Sequence, residues 1–251
     1  MSNLFDIVIP VGPSDIDVIQ RQLVHTKKYI LGYRNIYLIY KDLSLQIEGC
    51  TTIAESIFPF SMETVSKHHG KNDRNGWFLQ QLLKLYTGFV IPGILERYLV
   101  IDSDTFFRKP TAFVKDDRCI YTFGYQYHKL YFIHMAQMHP DFQRRIADKS
   151  GIAHHMIFER RYVKEMMDLV EEKHGEPFYD TFLKFVTDVT GAGASEYEMY
   201  FNYMVYKHAE KIYVRGLRWI NTNTLDVQGD FDYVSYHWHM RPASTPASQS
   251  S

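Results

Sequence analysis

Cysteine is almost missing from this chain of 251 residues: Cys50 and Cys119 are the only two, too few for a disulfide framework and without metal-ligand spacing. A reducing setting is expected, with both thiols as small packing groups. No run of about 18 uncharged apolar residues occurs, and the first residues, MSNLFDIVIP, carry no basic leader, so a chain without a transmembrane segment, kept in the cytoplasm, is expected. There is no excess of either charge: 28 basic against 29 acidic residues give a net charge of -1, which offers nucleic acid or an anionic membrane no general attraction. Glycine-rich phosphate loops are absent too, since Val11-Gly12-Pro13-Ser14 holds one glycine and Gly191-Ala192-Gly193-Ala194 is too short for a dinucleotide fingerprint. Neither HxxxH nor HExxH spacing is found, which argues against zinc at His154-His155. No internal repeat or interdomain linker breaks the chain.

What is present is hydrophobic (45%) and aromatic (16%), enough for one substantial core. Phe5–Pro10 reads as a first strand, Val11 to Asp15 as a turn ending in the helix caps Ser14 and Asp15, Ile16 to Ile30 as a helix, and Tyr33 to Tyr40 as a second strand. Strand, helix, strand in that order predicts a parallel crossover. A short strand is expected at Thr52-Ile53. Further helices are predicted over Trp77 to Tyr86, Glu159 to Lys173, Phe178 to Thr187 and from Glu196 onward, and strands over Cys119 to Tyr127, Lys211 to Val214 and Phe231 to His239. Leu130 to Met138 continues as a hairpin or a short helix. The fold class is therefore α/β, one domain over residues 1–242 with a mixed, mostly parallel, Rossmann-like sheet flanked by helices. Residues 243–251, rich in Ser, Ala, Thr, Pro and Gln, are expected to be a disordered tail.

The chemistry gathers around Tyr98 to Pro110, YLVIDSDTFFRKP. Tyr98 to Ile101 is a buried strand, and Asp102 and Asp104, on either side of Ser103, stand at its carboxyl end, the edge of an open α/β sheet where ligands sit. Two carboxylates this close call for a positive partner, and hard oxygen ligands suit Mg²⁺ or Mn²⁺. The plainer reading is a solvated Asp-Ser-Asp turn. Upstream, His68 to Gly76 is a polar loop opening a helix. Lys71 and Arg74 there could meet an anion or simply lie in water. Trp77 is either an aromatic wall or the first core residue of that helix. Ser195 and Glu198 fit a capping box, which leaves Glu196 free as a candidate general base. His237 and His239 share one face of a late strand, so either can aim at the carboxylates.

Taken in order, Val11-Gly12-Pro13, the helix Arg74 to Lys84 (GW-x-x-QQ-x-x-K), Asp102-Ser103-Asp104, Ala153-His154-His155-Met156, Ser195 to Glu198 and Tyr236-His237 resemble the nucleotide-sugar-dependent glycosyltransferases of the GT-A fold. The likeness is greatest to small bacterial and viral glycan-building transferases. The resemblance implies that the two carboxylates hold Mn²⁺ or Mg²⁺ on the diphosphate of a UDP- or GDP-sugar, with Asp104 as direct ligand, Asp102 as ligand or ribose contact and His237 as third ligand. Donor contacts are then expected from Val11, Gly12, Asp15, Lys71, Arg74, Trp77, Gln81, Asp102, Ser103, His154 and His155, the base lying near Val11 to Asp15 and the sugars near the histidines and Trp77. A UDP-sugar is expected over a GDP-sugar, a glycan hydroxyl as acceptor, and inversion with Glu196 as base. Two alternatives stand beside it: a metal-dependent nucleotidyl- or phosphotransferase, and a carbohydrate-binding protein of the same fold without the chemistry.

Overall fold

A computed structural model describes residues 3–237, 240 and 241. In chain order the first half contains β1 (Phe5–Pro10), α1 (Ile16–Tyr29), β2 (Ile30–Leu31), β3 (Tyr33–Tyr40), β4 (Thr51–Ala54), α2 (Met62–His69) and α3 (Asn75–Val90). Then follow β5 (Arg97–Ile101), β6 (Thr105–Phe107), β7 (Thr111–Ala112), β8 (Val114–Lys115), β9 (Arg118–Phe123) and α4 (Lys129–Met138). The last third holds β10 (His155–Glu159), α5 (Arg160–His174), α6 (Phe178–Lys184), α7 (Glu196–Lys207), β11 (Ile212–Gly216), β12 (Trp219–Asn221) and β13 (Tyr233–Ser235). The architecture is mixed α/β, as the alternation of patterns predicts.

The main sheet has the order β10-β5-β1-β3-β4, parallel throughout except for β10, which runs antiparallel to β5. Its central strands are apolar runs buried on both sides, FDIVIP in β1 and YLVI in β5, as strands covered on two faces must be. The one charge inside β1, Asp6, is fully matched: Arg34 grips both carboxylate oxygens (2.6 and 3.0 Å), and the backbone N–H groups of Asn35 and Leu95 donate to it as well. From β1 the chain moves outward to β3 and β4, then returns to lay β5 on the other side of β1. That reversal opens a crevice between the carboxyl ends of β1 and β5, the switch point where open α/β sheets bind ligands.

Two helices back this crevice. α3 is buried nearly all round, and it lies close on the sheet because residue 88 is glycine: a Cβ there would stand 2.7 Å from the Tyr98 ring. α7 is buried from Glu196 to Met204, and Ser195 caps it by accepting from the Glu198 N–H (3.2 Å). The expected reverse half of that capping box gives way to a different use of Glu198, whose carboxylate accepts from Ser150 and Asn202.

Several boundaries differ from the sequence reading. His68 and His69 belong to α2, not to a loop, because Ser61 and Thr64 form a capping box ahead of it. α3 starts before Trp77 and runs past Tyr86. β9 ends at Phe123, so Tyr125 and Tyr127 leave the sheet, and 130–138 is helical. α6 stops at Lys184. The late strand is only Tyr233–Ser235, so His237 lies beyond it, not on its face, and His239 and the tail 243–251 lie outside the described residues. Among the described residues no helix is long and apolar enough to cross a membrane. Cys50 and Cys119 are both free thiols.

Candidate functional site

A cleft of about 870 Å³ opens at the carboxyl ends of β1, β3 and β5. Val11, Gly12, Asp15, Arg74, Trp77, Asp102, Ser103, Asp104, His154 and His237 all line it, so most of the residues singled out from sequence are brought together by the switch-point topology. Asp15 does not cap α1; its carboxylate turns into the cleft, where it accepts from the Ser103 hydroxyl (2.5 Å) and pairs with Arg241 (2.7 Å). Arg74 lies over the Trp77 ring (4.4 Å) and donates to the Gly191 carbonyl (3.0 Å), which fixes both side chains along one wall. Gly12 has room for a Cβ, with its nearest contact at 3.7 Å, so the first loop is no close-fitting phosphate cradle.

The floor is electrostatic. Lys84, only 4% exposed, emerges from α3 between Asp102 (2.7 Å) and Glu196 (2.9 Å), with the Tyr197 ring against its ammonium (4.3 Å). Tyr197 donates its hydroxyl to the same Asp102 oxygen (3.1 Å). Burial opposes the charge on Lys84, but the two carboxylates outweigh it and hold its pKa above the ordinary lysine value. Asp104 has weaker support, Ser235 at 3.4 Å and Arg241 at 3.6 Å. Burial, with Asp102 and Asp15 adding repulsion, pushes its carboxyl up to about 7. Among the described residues, Asp15, Asp102, Asp104 and Glu196 thus meet only Lys84 and Arg241 in direct ion pairs, which leaves the cluster negative.

Four expected site residues fall elsewhere. Lys71 is exposed and borders a separate hollow of about 360 Å³ with Asn72, Asp73, Arg74 and Thr190. Gln81 is buried and accepts from the Glu196 N–H (3.1 Å), so it caps α7 and does not reach the cleft. The histidine pair is divided by strand alternation: His154 faces the cleft, while His155, the first residue of β10, turns into the core and bonds Thr122 (2.9 Å) among Phe107, Phe113 and Tyr233. Glu196 is not free. It is 3% exposed, it does not line the cleft and its carboxylate is bound by Lys84. Burial also lowers His154 to about 4, which makes it a neutral imidazole near pH 7.

Among the described residues no three His, Cys, Asp or Glu side chains form a ready metal site, so Asp102, Asp104 and His237 share the cleft without being a preformed ligand set. The donor chemistry nonetheless fits Mg²⁺ or Mn²⁺, which take one or two carboxylates and complete their shells with water and phosphate oxygens. The residual negative charge beside Asp104 is what such a cation would offset.

Two participants have no site role in the sequence reading. Lys84 stands there only as the closing residue of the GW-x-x-QQ-x-x-K helix, and its one local signal is a lysine amid apolar residues. Arg241 carries no signal, because its meeting with Asp15 depends wholly on tertiary structure.

No curated protein matches the chain. A family profile matches residues 40–228, a span that includes Lys84, Asp102, Asp104, His154 and Glu196 but neither the first loop nor His237. On that match, which covers about three quarters of its length, the chain belongs to DUF6492, a family of unknown function.

Proposed function

We propose that the protein is a metal-dependent glycosyltransferase of GT-A type that moves a sugar from a UDP-sugar to a glycan hydroxyl. The observation that carries this reading is the switch-point cleft of ligand size where Asp102 and Asp104 stand in a cluster of four acidic side chains that meets two cations in ion pairs among the described residues. When bound, Mn²⁺ or Mg²⁺ supplies positive charge to the diphosphate leaving group.

The chain's own residues do the rest. Val11 to Asp15 and Tyr40, at the ends of β1 and β3, offer a wall for the base and ribose. Arg74, braced by Trp77 and Gly191, presents its guanidinium to developing phosphate charge. Lys84 and the Tyr197 hydroxyl fix one oxygen of Asp102, so this carboxylate keeps a single orientation without donor. Glu196 braces Lys84 from behind and is a positioning residue in this reading. A nucleotidyltransferase is less well supported, because the first loop lacks the close backbone approach to phosphate that such enzymes use.

Thermal-shift measurements with UDP or GDP, each with and without Mn²⁺, test the reading. UDP with Mn²⁺ at about 100 times its Kd is expected to stabilise by about 2.7 kcal/mol, a rise of roughly 5 to 10 °C for a chain of this size. Either component alone is expected to do much less, and Asp104→Asn is expected to remove the joint response. No shift with either nucleotide in the presence of Mn²⁺ overturns the proposal.

A further inference from the structure

β9 stops at Phe123, and the segment after it carries Tyr125 and Tyr127 outward at 75% and 58% exposure, the most exposed tyrosine, tryptophan or phenylalanine rings among the described residues. Hydrophobic rings in water are common singly, but these two are held in place. Tyr125 packs edge-on against Phe123 (5.5 Å, 86°), and Tyr127 stacks on Phe132 of α4 (5.3 Å, 13°). Their orientation is set before anything binds.

Two cations complete the surface. Arg144 lies over Tyr127 (4.9 Å) and Lys149 over Phe123 (5.0 Å). The Arg144 guanidinium is positioned by the carbonyls of Ile146 and Lys149 and has no carboxylate ion pair among the described residues. Among the described residues the only acidic partner of Lys149 is its neighbour Asp148, at 3.5 Å and well exposed. Positive charge here is therefore available to a ligand.

This surface adjoins the cleft. Tyr131, the residue before Phe132 on α4, lines it, and Gly124 pairs with Ser150 at the start of the segment that ends in His154. We propose that the Tyr125–Tyr127 surface, with Arg144 and Lys149, binds the acceptor as an acidic glycan chain bearing uronic-type carboxylates. The apolar C–H face of a pyranose stacks on the Tyr125 ring, whose contact with Phe123 is edge-on, Tyr127 holds the Arg144 guanidinium beside it, and the guanidinium and ammonium take the carboxylates. The word acceptor rests on the transferase reading; the glycan-binding surface does not. A protein partner fits less well, because Gln126, His128 and Lys129 interrupt the apolar area. A nucleic acid needs a longer track of cations than Lys129, Arg144 and Lys149 provide.

The test is retardation of the full chain in native gels containing polygalacturonate, with dextran and an oligothymidylate as comparisons. Polygalacturonate is expected to retard the wild-type chain at low salt and dextran to do so far less. The double variant Tyr125→Ala, Tyr127→Ala is expected to weaken retardation by about tenfold and Lys149→Gln by about threefold. Because both tyrosines are exposed, the double variant should melt within about 2 °C of wild type, which excludes unfolding as the cause. Equal retardation of wild type and double variant overturns the proposal, as does retardation by dextran or oligothymidylate as strong as that by polygalacturonate. Retardation by polygalacturonate without any UDP response leaves this surface standing and removes the transferase reading, so the two can fail separately.

Discussion

The cleft has two charged walls, and they are built differently. On the inner wall Lys84 comes from the middle of a buried helix and is enclosed by Glu196 and Tyr197 of α7 and by Asp102, the residue after β5. On the rim Arg241 reaches in from beyond the last strand to Asp15 and Asp104, and it is braced by the carbonyls of Tyr236 and Ser14. Each wall sets one cation against one carboxylate of the Asp102-Ser103-Asp104 turn. The inner cation comes from the core of the fold, whereas the rim cation comes from beyond the last strand, although the carboxylates it meets are buried as well. Stability should depend more on the first, whose lysine is the more deeply buried, than on the second, although both bear on the same ligand site.

The sharpest way to break this contrast is Lys84→Met. Removing a buried cation leaves Asp102 and Glu196 uncompensated, a loss of about 4 kcal/mol. The melting temperature should fall by roughly 10 °C. Adding Glu196→Gln to that variant should restore part of the loss, and the coupling is measurable in a double-mutant cycle. Acid comes next and probes the packing behind the inner wall. His134 on α4 is fully buried, donates to the Phe182 carbonyl (2.8 Å), and has its pKa lowered by burial to about 4. The unfolded chain takes up that proton near pH 6.5 and the folded chain does not, so the contribution is complete above about pH 6.5 and is lost as pH falls toward 4. Up to about 3 kcal/mol is at stake, and His134→Gln should remove that share from a pH-stability profile measured by urea unfolding, while His154, also lowered to about 4, keeps its own. Smallest is Arg241→Gln, which leaves the buried Asp15 and Asp104 without their cation and is expected to cost about 2 kcal/mol, read as a fall in melting temperature of roughly 5 °C. A loss equal to that of Lys84→Met would mean that the rim is as much a part of the core as the inner wall.

How far the sequence foretold this follows the same division. β1, α1, β3 and β5 were legible because their apolar periodicity is local, and the Asp102-Ser103-Asp104 turn was legible because a buried strand ends there. The helix over 62–69 is hard to see in sequence because only Val65 and His69 of its eight residues are buried, although Ser61 and Thr64 carry the capping signal. His154 and His155 look like a pair in sequence, and strand alternation sends one to the cleft and the other to the core. Glu196 looks free beside Glu198 with its local role, while the lysine that binds it lies 112 residues away in sequence. Local rules describe elements; which charges meet is decided by how the elements pack.

Position 88 shows how a remote residue can reach the cleft. Gly88 is one helical turn beyond Lys84, and the Tyr98 ring against it also donates its hydroxyl to the Leu85 carbonyl (3.2 Å). Even a methyl group at 88 would lift the helix from the sheet and draw the Lys84 ammonium back from Asp102. The spacing between helix and strand thus works as a gauge for the depth of the lysine, and a lesion there would look like damage to the site while touching none of its ligands.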